Sequence, residues 1–178
     1  AIGYDAMTTN TAGGEKNVAV GNYALDALTS GDSNVAVGYR ALSTNTTGHN
    51  HTAVGVDALL LNTTGTHNTA HGSTALYANT TGGANVAVGS RAMEGNTTAA
   101  SNVAVGYKTL FTNTTGANNV AIGREALYTN NADDNTAVGD DALLANTTGT
   151  GNAAVGALAM TTNTTASNNT ALGYAAMK

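Results

Sequence analysis

Apolar and polar positions alternate along this chain in short steps that recur about every 17 residues. In residues 34–37, Asn-Val-Ala-Val, the valines fall on one side of an extended strand, and Asn34 and Ala36 fall on the other. The strand is followed by Gly38 and then by a second short apolar segment, residues 41–42. The repeat ends with Asn-Thr-Thr-Gly at 45–48, a sequence typical of a turn. No apolar pattern with a 3.6-residue period lasts for ten residues, so the pattern predicts strands and turns rather than helices.

The repeat is Asn-(Val/Thr)-Ala-Val-Gly-x-x-Ala-Leu-x-x-Asn-Thr-Thr-Gly-x-x, numbered here as positions one to seventeen. Its position-five glycine recurs at Gly3, Gly21, Gly38, Gly55, Gly72, Gly89, Gly106, Gly123, Gly139, Gly156 and Gly173. One insertion near Gly13 and one deletion near Asp133 leave the spacing otherwise constant. A fixed period of this kind is typical of a solenoid. We therefore predict an all-β fold, a repetitive β-solenoid with 17-residue repeats, formed as one array of about ten repeats over residues 1–178.

The apolar content of each repeat predicts that chains associate. Each coil has one large residue at position nine, a valine-like residue at position four and two alanines. At about 0.8 kcal/mol per buried methylene, such a coil gains little against the ordering of its backbone. Identical chains packed together would bury the alanine and valine faces as well. A lone chain that closes a narrow solenoid is the alternative.

Composition and charge narrow the function. Ala, Thr, Asn and Gly number 34, 31, 23 and 22 of 178 residues, and there is no Cys, Pro or Trp. The net charge is −5 without any basic run, which argues against a nucleic-acid partner. The longest purely apolar run, residues 58–61, is too short for membrane insertion. No nucleophile with a paired histidine and no phosphate-binding loop is present, so we expect no enzymatic activity.

The repeat resembles two known groups of surface proteins. Asn-Val-Ala-Val-Gly, as at 34–38 and 85–89, is similar to the motif in the heads of YadA-like trimeric autotransporter adhesins. The longer unit with Asn-Thr-Thr-Gly resembles repeats of phage tail-fibre and related proteins. The resemblance covers essentially the whole chain. It departs from the autotransporter pattern in two respects. The autotransporter head repeat is shorter than seventeen residues, and this sequence contains no coiled-coil stalk, membrane anchor or chaperone domain.

The resemblance implies an extracellular homotrimer, either a side-by-side β-roll or an intertwined triple-stranded β-helix. It would belong to a virion tail fibre or a bacterial cell surface and attach to a host receptor or glycan. Residues 1–3 and 175–178 each lie inside a repeat, so we expect a segment of a longer fibrous protein. The alternative function is ice binding by stacked threonines next to asparagines. The threonines of that rank are Thr46, Thr63, Thr80, Thr97, Thr114, Thr147 and Thr164.

The histidines are the main candidates for site chemistry. His49 and His51 lie two residues apart, and residues two apart on a strand share a face. In a trimer, three such pairs would offer six imidazoles to a transition-metal ion at the axis, and the resemblance makes this relevant because phage fibres contain His-x-His metal sites. The alternative is that His49 is a polar residue of a surface turn. His71 replaces the position-four valine, so we expect an inward ring, hydrogen-bonded in the core or at an axial site.

Other candidates have structural explanations. The acidic group at 133–134 and 140–141 favours a solvated corner over a calcium site, because its spacing fits no calcium loop. Tyrosines at position six and aromatic residues at position ten would pack at corners or bind sugars. Asn-x-Thr sequences recur at position twelve, where turn chemistry explains them better than glycosylation.

Overall fold

The computed structural model describes residues 1–10 and 12–178, and they form a parallel β-solenoid of about nine turns. Its strands are β1 (Val18–Val20), β2 (Val35–Val37), β3 (Thr52–Val54), β4 (Thr69–His71), β5 (Val86–Val88), β6 (Val103–Val105), β7 (Val120–Ile122), β8 (Thr136–Val138), β9 (Ala153–Val155) and β10 (Thr170–Leu172). They make one ten-stranded parallel sheet in chain order, and Ile2 bridges to Val20 before β1. The described residues contain no helix. The predicted all-β solenoid with 17-residue repeats is therefore confirmed.

The register follows the sequence repeat. Ala36 of β2 pairs with Ala19 of β1 and with Ala53 of β3, so equal repeat positions stack directly on one another. At the deletion, Ala121 of β7 still pairs with Ala137 of β8. The missing residue is therefore absorbed in the turns, and the sheet keeps its register.

Main-chain hydrogen bonds join neighbouring coils outside the sheet as well. The amide of Leu42 donates to the carbonyl of Ala58 at 3.0 Å, and the amide of Thr46 donates to that of Thr63 at 3.1 Å. On the next side, the amide of Asn50 donates to Asp32 at 3.0 Å in the preceding coil. Because every side of the coil is bonded to a neighbour, few backbone groups are left without partners despite strands of only three residues.

Three corners of each coil use a backbone conformation that side chains rarely adopt. Positions seven, nine and seventeen have positive φ, for example 54° at Arg40, 53° at Leu42 and 60° at Asn50. A left-handed non-glycine residue costs about 1–2 kcal/mol. At Leu42 complete burial offsets this cost, since burying a leucine contributes about 1.5–3 kcal/mol.

Fewer repeat positions contribute to the hydrophobic core than the sequence predicts. Apart from Leu28 at position twelve, its apolar part consists of the alanines at positions three and eight and the leucine or methionine at position nine. The predicted alternation is confirmed, because Asn34 and Ala36 are buried and Val35 and Val37 lie on the outer side. The expectation that position four contributes to the core is wrong.

His71 shows the same reversal. Position four points outward, and the side chain of His71 is exposed rather than inward as expected. The interior of each coil is too narrow for an imidazole on the strand, because only the position-three alanine fits opposite the position-nine side chain.

Candidate functional site

The outer side of the sheet is the largest candidate surface. The first and last residues of each strand β1–β10, positions two and four, point outward, and we call this surface the valine face. It contains Val, Thr, Ile, Leu and Ala and no ionisable residue except His71. Val88 is 37% exposed and Ile122 is 40% exposed. The position-four column is aliphatic except at His71, the position-two column mixes aliphatic residues with four threonines, and both columns lack a covering layer.

Charged residues flank this face at positions six and seven and pair along the axis. Arg40 Nε lies 3.3 Å from Asp57 Oδ1, one coil further on. Arg124 holds Asp140 at 2.8 Å and Asp141 at 3.1 Å. Such pairs at half-exposed side chains contribute little to stability, but they neutralise most of the charge beside the valine face.

Buried asparagines form a hydrogen-bonded column at position twelve. Each side-chain amide donates to the Oδ1 one coil before it, at 2.8 Å from Asn62 to Asn45 and 2.7 Å from Asn96 to Asn79. The column is interrupted between Asn113 and Asn130, although these are a full 17 residues apart, whereas the shortened interval from Asn130 to Asn146 keeps its hydrogen bond at 2.7 Å. The buried Oδ1 of Asn113 has no partner among the described residues. Position twelve carries most Asn-x-Thr sequences, and its side chains lie inside the coil, as the turn interpretation requires.

The second asparagine column, at position one, contains His51 as a substitute. Asn34 accepts the amide of His51 on Oδ1 at 3.0 Å, and its Nδ2 donates to the Gly48 carbonyl at 3.0 Å. His51 repeats the pattern one coil later. Its Nδ1 accepts the amide of Asn68 at 3.2 Å, and its Nε2–H donates to the Gly65 carbonyl at 2.7 Å.

The imidazole of His51 thus replaces a carboxamide only while it is neutral, because Nδ1 must accept. Its side chain is 1% exposed. Burial lowers the pKa of His51 to about 4, and the carbonyl of Gly65 opposes part of that decrease. The alternation predicted at 34–37 puts positions one and three on the same face, and His51 lies there with Ala53, but nothing in the sequence indicated the role of its imidazole.

The two predicted metal ligands do not lie on one surface. His49 is exposed at position sixteen, whereas both ring nitrogens of the buried His51 are hydrogen-bonded. His49 instead approaches His67 of the next coil, with ring centroids 5.5 Å apart. The site of six imidazoles in a trimer stays a prediction, and the placement of His51 counts against it.

The acidic residues near the deletion accept protein hydrogen bonds. Asp133 accepts the amide of Ala117 at 2.7 Å, and Asp134 accepts the side-chain amide of Asn118 at 3.2 Å. In the described part of the chain, no three His, Asp or Glu side chains come close enough together to hold a metal ion.

Aromatic side chains pack against one another along two corners of the coil. Tyr23 lies between Tyr4 and Tyr39, at centroid distances of 5.5 and 6.0 Å with edge-to-face geometry. Phe111 stacks on Tyr128 at 5.1 Å, and the guanidinium of Arg91 covers its other side at 4.9 Å. Both faces of the Phe111 ring are therefore occupied by the protein itself, which favours corner packing over sugar stacking there.

The remaining surface is without a cavity. No pocket is present in residues 1–10 and 12–178. No helix of the described chain has the length and apolarity to span a membrane. The chain matches no protein-family model, no curated protein and no solved structure.

Proposed function

We propose that the chain is a rigid, self-associating segment of an extracellular attachment fibre, from a phage tail or a bacterial surface, and that it functions as a homotrimer. The observation that carries the proposal is the uncovered valine face. Parallel sheets are normally covered on both sides, because their two faces are apolar. Here the coil covers the inner side of the ten strands, and the outer side is left without a layer.

Copies of the same chain fit this face best. The two columns have one residue per coil, with a spacing of about 4.8 Å, and extend for roughly 45 Å. A parallel copy has the same spacing, so at each level a position-four residue of one chain meets the position-four residue of the next, and this residue is valine in seven of the ten strands. The absence of Lys, Arg, Asp and Glu from the face removes the charge repulsion that would oppose this contact. Because each strand pairs within its own chain, the solenoids would pack side by side rather than intertwine.

This arrangement supports attachment in a mechanical way. The hydrogen-bonded coils supply length and stiffness, and three chains present each surface residue three times, which increases avidity for a receptor or glycan. The polar sides at positions thirteen to seventeen stay available for that contact, since they lie away from the valine face.

The solution mass of the purified chain tests the proposal. We expect a particle of three times the 17.6 kDa chain mass by analytical ultracentrifugation. The double substitution Val88→Lys and Val105→Lys should convert it to monomer, because two charges per chain would have to be buried. The matched control, Thr81→Lys and Thr98→Lys, adds the same charges on the exposed position-fourteen side and should leave the trimer intact.

Two outcomes would contradict the proposal. One is a wild-type chain that sediments as a folded monomer at micromolar concentration. The other is an equal loss of assembly in both double variants. Circular dichroism of each variant distinguishes lost association from lost folding.

Ice binding by stacked threonines is the alternative function, and the geometry favours it less. The hydroxyls of the position-thirteen rank donate to the backbone of the next coil, for example from Thr46 to Thr63 at 3.1 Å and from Thr63 to Thr80 at 3.1 Å. Exposed threonines remain at position fourteen, but they form a single rank. Thermal hysteresis in a monomeric sample would favour this alternative over the fibre.

A further inference from the structure

One corner of the solenoid brings together three nitrogen- and oxygen-bearing side chains that belong to no other interaction network. His49 and Asn50 occupy positions sixteen and seventeen of one coil, and His67 occupies position seventeen of the next. All three side chains are exposed. We propose that they form a binding site for a divalent first-row transition-metal ion such as Zn²⁺.

The distance between the imidazoles fits a shared metal ion. Their centroids are 5.5 Å apart, and their planes are 79° from parallel. Two imidazoles on one tetrahedral metal, with metal–nitrogen bonds of about 2.1 Å, place their ring centres about 5 to 5.5 Å apart. The two rings of His49 and His67 therefore need little movement to coordinate together.

Asn50 supplies a third group. Its amide nitrogen lies 3.1 Å from Nε2 of His67. Rotation of the carboxamide by half a turn places Oδ1 at the same point. Two ligand atoms of one tetrahedral or octahedral ion are about 3.0–3.4 Å apart, so this separation is suited to coordination. The site would be open, with remaining positions taken by water.

The backbone holds these residues in place before any ion binds. The amide of His67 donates to the carbonyl of His49 at 3.0 Å, and that of Asn50 donates to Asp32 at 3.0 Å. Imidazole nitrogen suits zinc, copper and nickel, so the two histidines set the choice of metal, and the carboxamide oxygen of Asn50 would add a weaker, neutral donor. The site differs from the pair expected from sequence, because His67 takes the part assigned to His51. It does not depend on the proposed fibre function.

Calorimetric titration of the purified chain with ZnCl₂ at pH 7.5 tests the site. We expect one Zn²⁺ per chain. His67→Asn and His49→Ala should each weaken binding at least tenfold, and Asn50→Ser should weaken it less. These replacements occur naturally at the same positions, as Asn118, Ala117 and Ser101. They should therefore leave the fold unchanged, which thermal unfolding without zinc would verify.

His51→Asn and His71→Val are the matched controls, since both remove a histidine and restore the common residue of the repeat. Each should bind Zn²⁺ within about threefold of the wild-type affinity. The proposal is overturned if the wild-type chain binds no zinc, or if His67→Asn and His49→Ala bind as tightly as the wild type. It is also overturned if His51→Asn loses binding while His67→Asn keeps it. Unchanged affinity of Asn50→Ser would remove Asn50 from the site.

Discussion

The two faces of a single strand in this molecule follow opposite rules. In β5, Ala87 is completely buried, whereas its neighbour Val88 is 37% exposed. In most sheets the larger aliphatic residue is placed inside, because it gains more from burial. Here the small residue is inside and the larger one outside. The inner face is therefore limited by the space inside the coil, and the outer face has apolar surface that the chain itself leaves uncovered.

The inner face tolerates little change because each of its columns is stacked directly on itself. A side chain that is too large meets its counterpart in the next coil as well as the opposite wall. The outer face has no such limit, and Val, Ile, Thr, Leu, Ala and His all occur there. A column of repeat positions that accepts many residue types therefore has more space around its side chains than a column that accepts only one.

Gly89→Ala should produce the largest effect, because it places a methyl group against the backbone of the next coil at a residue whose positive φ disfavours a side chain. Gly89 has φ of 133°, and a Cβ there would collide with the carbonyl oxygen of Gly106. Backbone strain of about 1–3 kcal/mol and overpacking of similar size predict a loss of about 4 kcal/mol in unfolding free energy. Urea denaturation followed by circular dichroism measures it.

Gly82→Ala is the control for that substitution. A Cβ on Gly82 would collide just as closely with a carbonyl oxygen of the next coil, that of Ala99, and with Oδ1 of Asn79. Gly82 does not have positive φ, however, and the same column contains Ala99 and Ala132. We expect a loss below about 1.5 kcal/mol. Equal losses for the two glycines would show that crowding alone, and not backbone conformation, sets the requirement.

The same contrast explains how far the sequence predicted the structure. The period of 17 and the alternation in residues 34–37 were sufficient for the strands, their register and the absence of helices. Alternation defines two faces but does not say which one is inside. Counting the position-four residue among the apolar residues that each coil buries predicts an inward His71, and that orientation is wrong.

Other features had no signal in the sequence. Leu42 and Arg40 adopt positive φ, a conformation that sequence reasoning assigns to glycine or asparagine. The approach of His49 to His67 depends on how the corner between coils is folded, and spacing along one strand pointed to His51 instead. Sequence therefore identified the histidine-rich region but not which of its members meet.

His51 permits a test of the inner face by pH. In the unfolded chain its imidazole takes up a proton near pH 6.5, whereas in the folded chain its pKa is about 4. The unfolded state binds more protons between these values, so stability is complete above pH 6.5 and falls as pH decreases toward 4. The difference corresponds to about 3 kcal/mol. Urea midpoints measured from pH 7.5 to 4 give this dependence.

His51→Asn should remove that dependence, because asparagine makes the same two hydrogen bonds without titrating. His67→Asn removes an exposed histidine nearby and should leave the dependence in place. Carboxylates that titrate at the acidic end contribute equally to all three proteins and cancel in the difference. A wild-type curve parallel to that of His51→Asn would mean that His51 is not held neutral in the folded coil.

Two substitutions in β5, a larger residue at Ala87 and a smaller one at Val88, test the difference between the inner and outer faces most directly. The expected changes in unfolding free energy are small. Ala87→Val adds two methyl groups to a filled column and should cost about 1–3 kcal/mol of unfolding free energy. Val88→Ala removes the same groups from the outer face and should cost below about 1 kcal/mol in a monomer. Its effect should appear in association instead, as a lower proportion of trimer by ultracentrifugation at the same concentration. If Val88→Ala destabilised the folded chain as much as Ala87→Val without changing its assembly, the outer valines would be structural for the coil itself, and the valine face would not be the contact between chains.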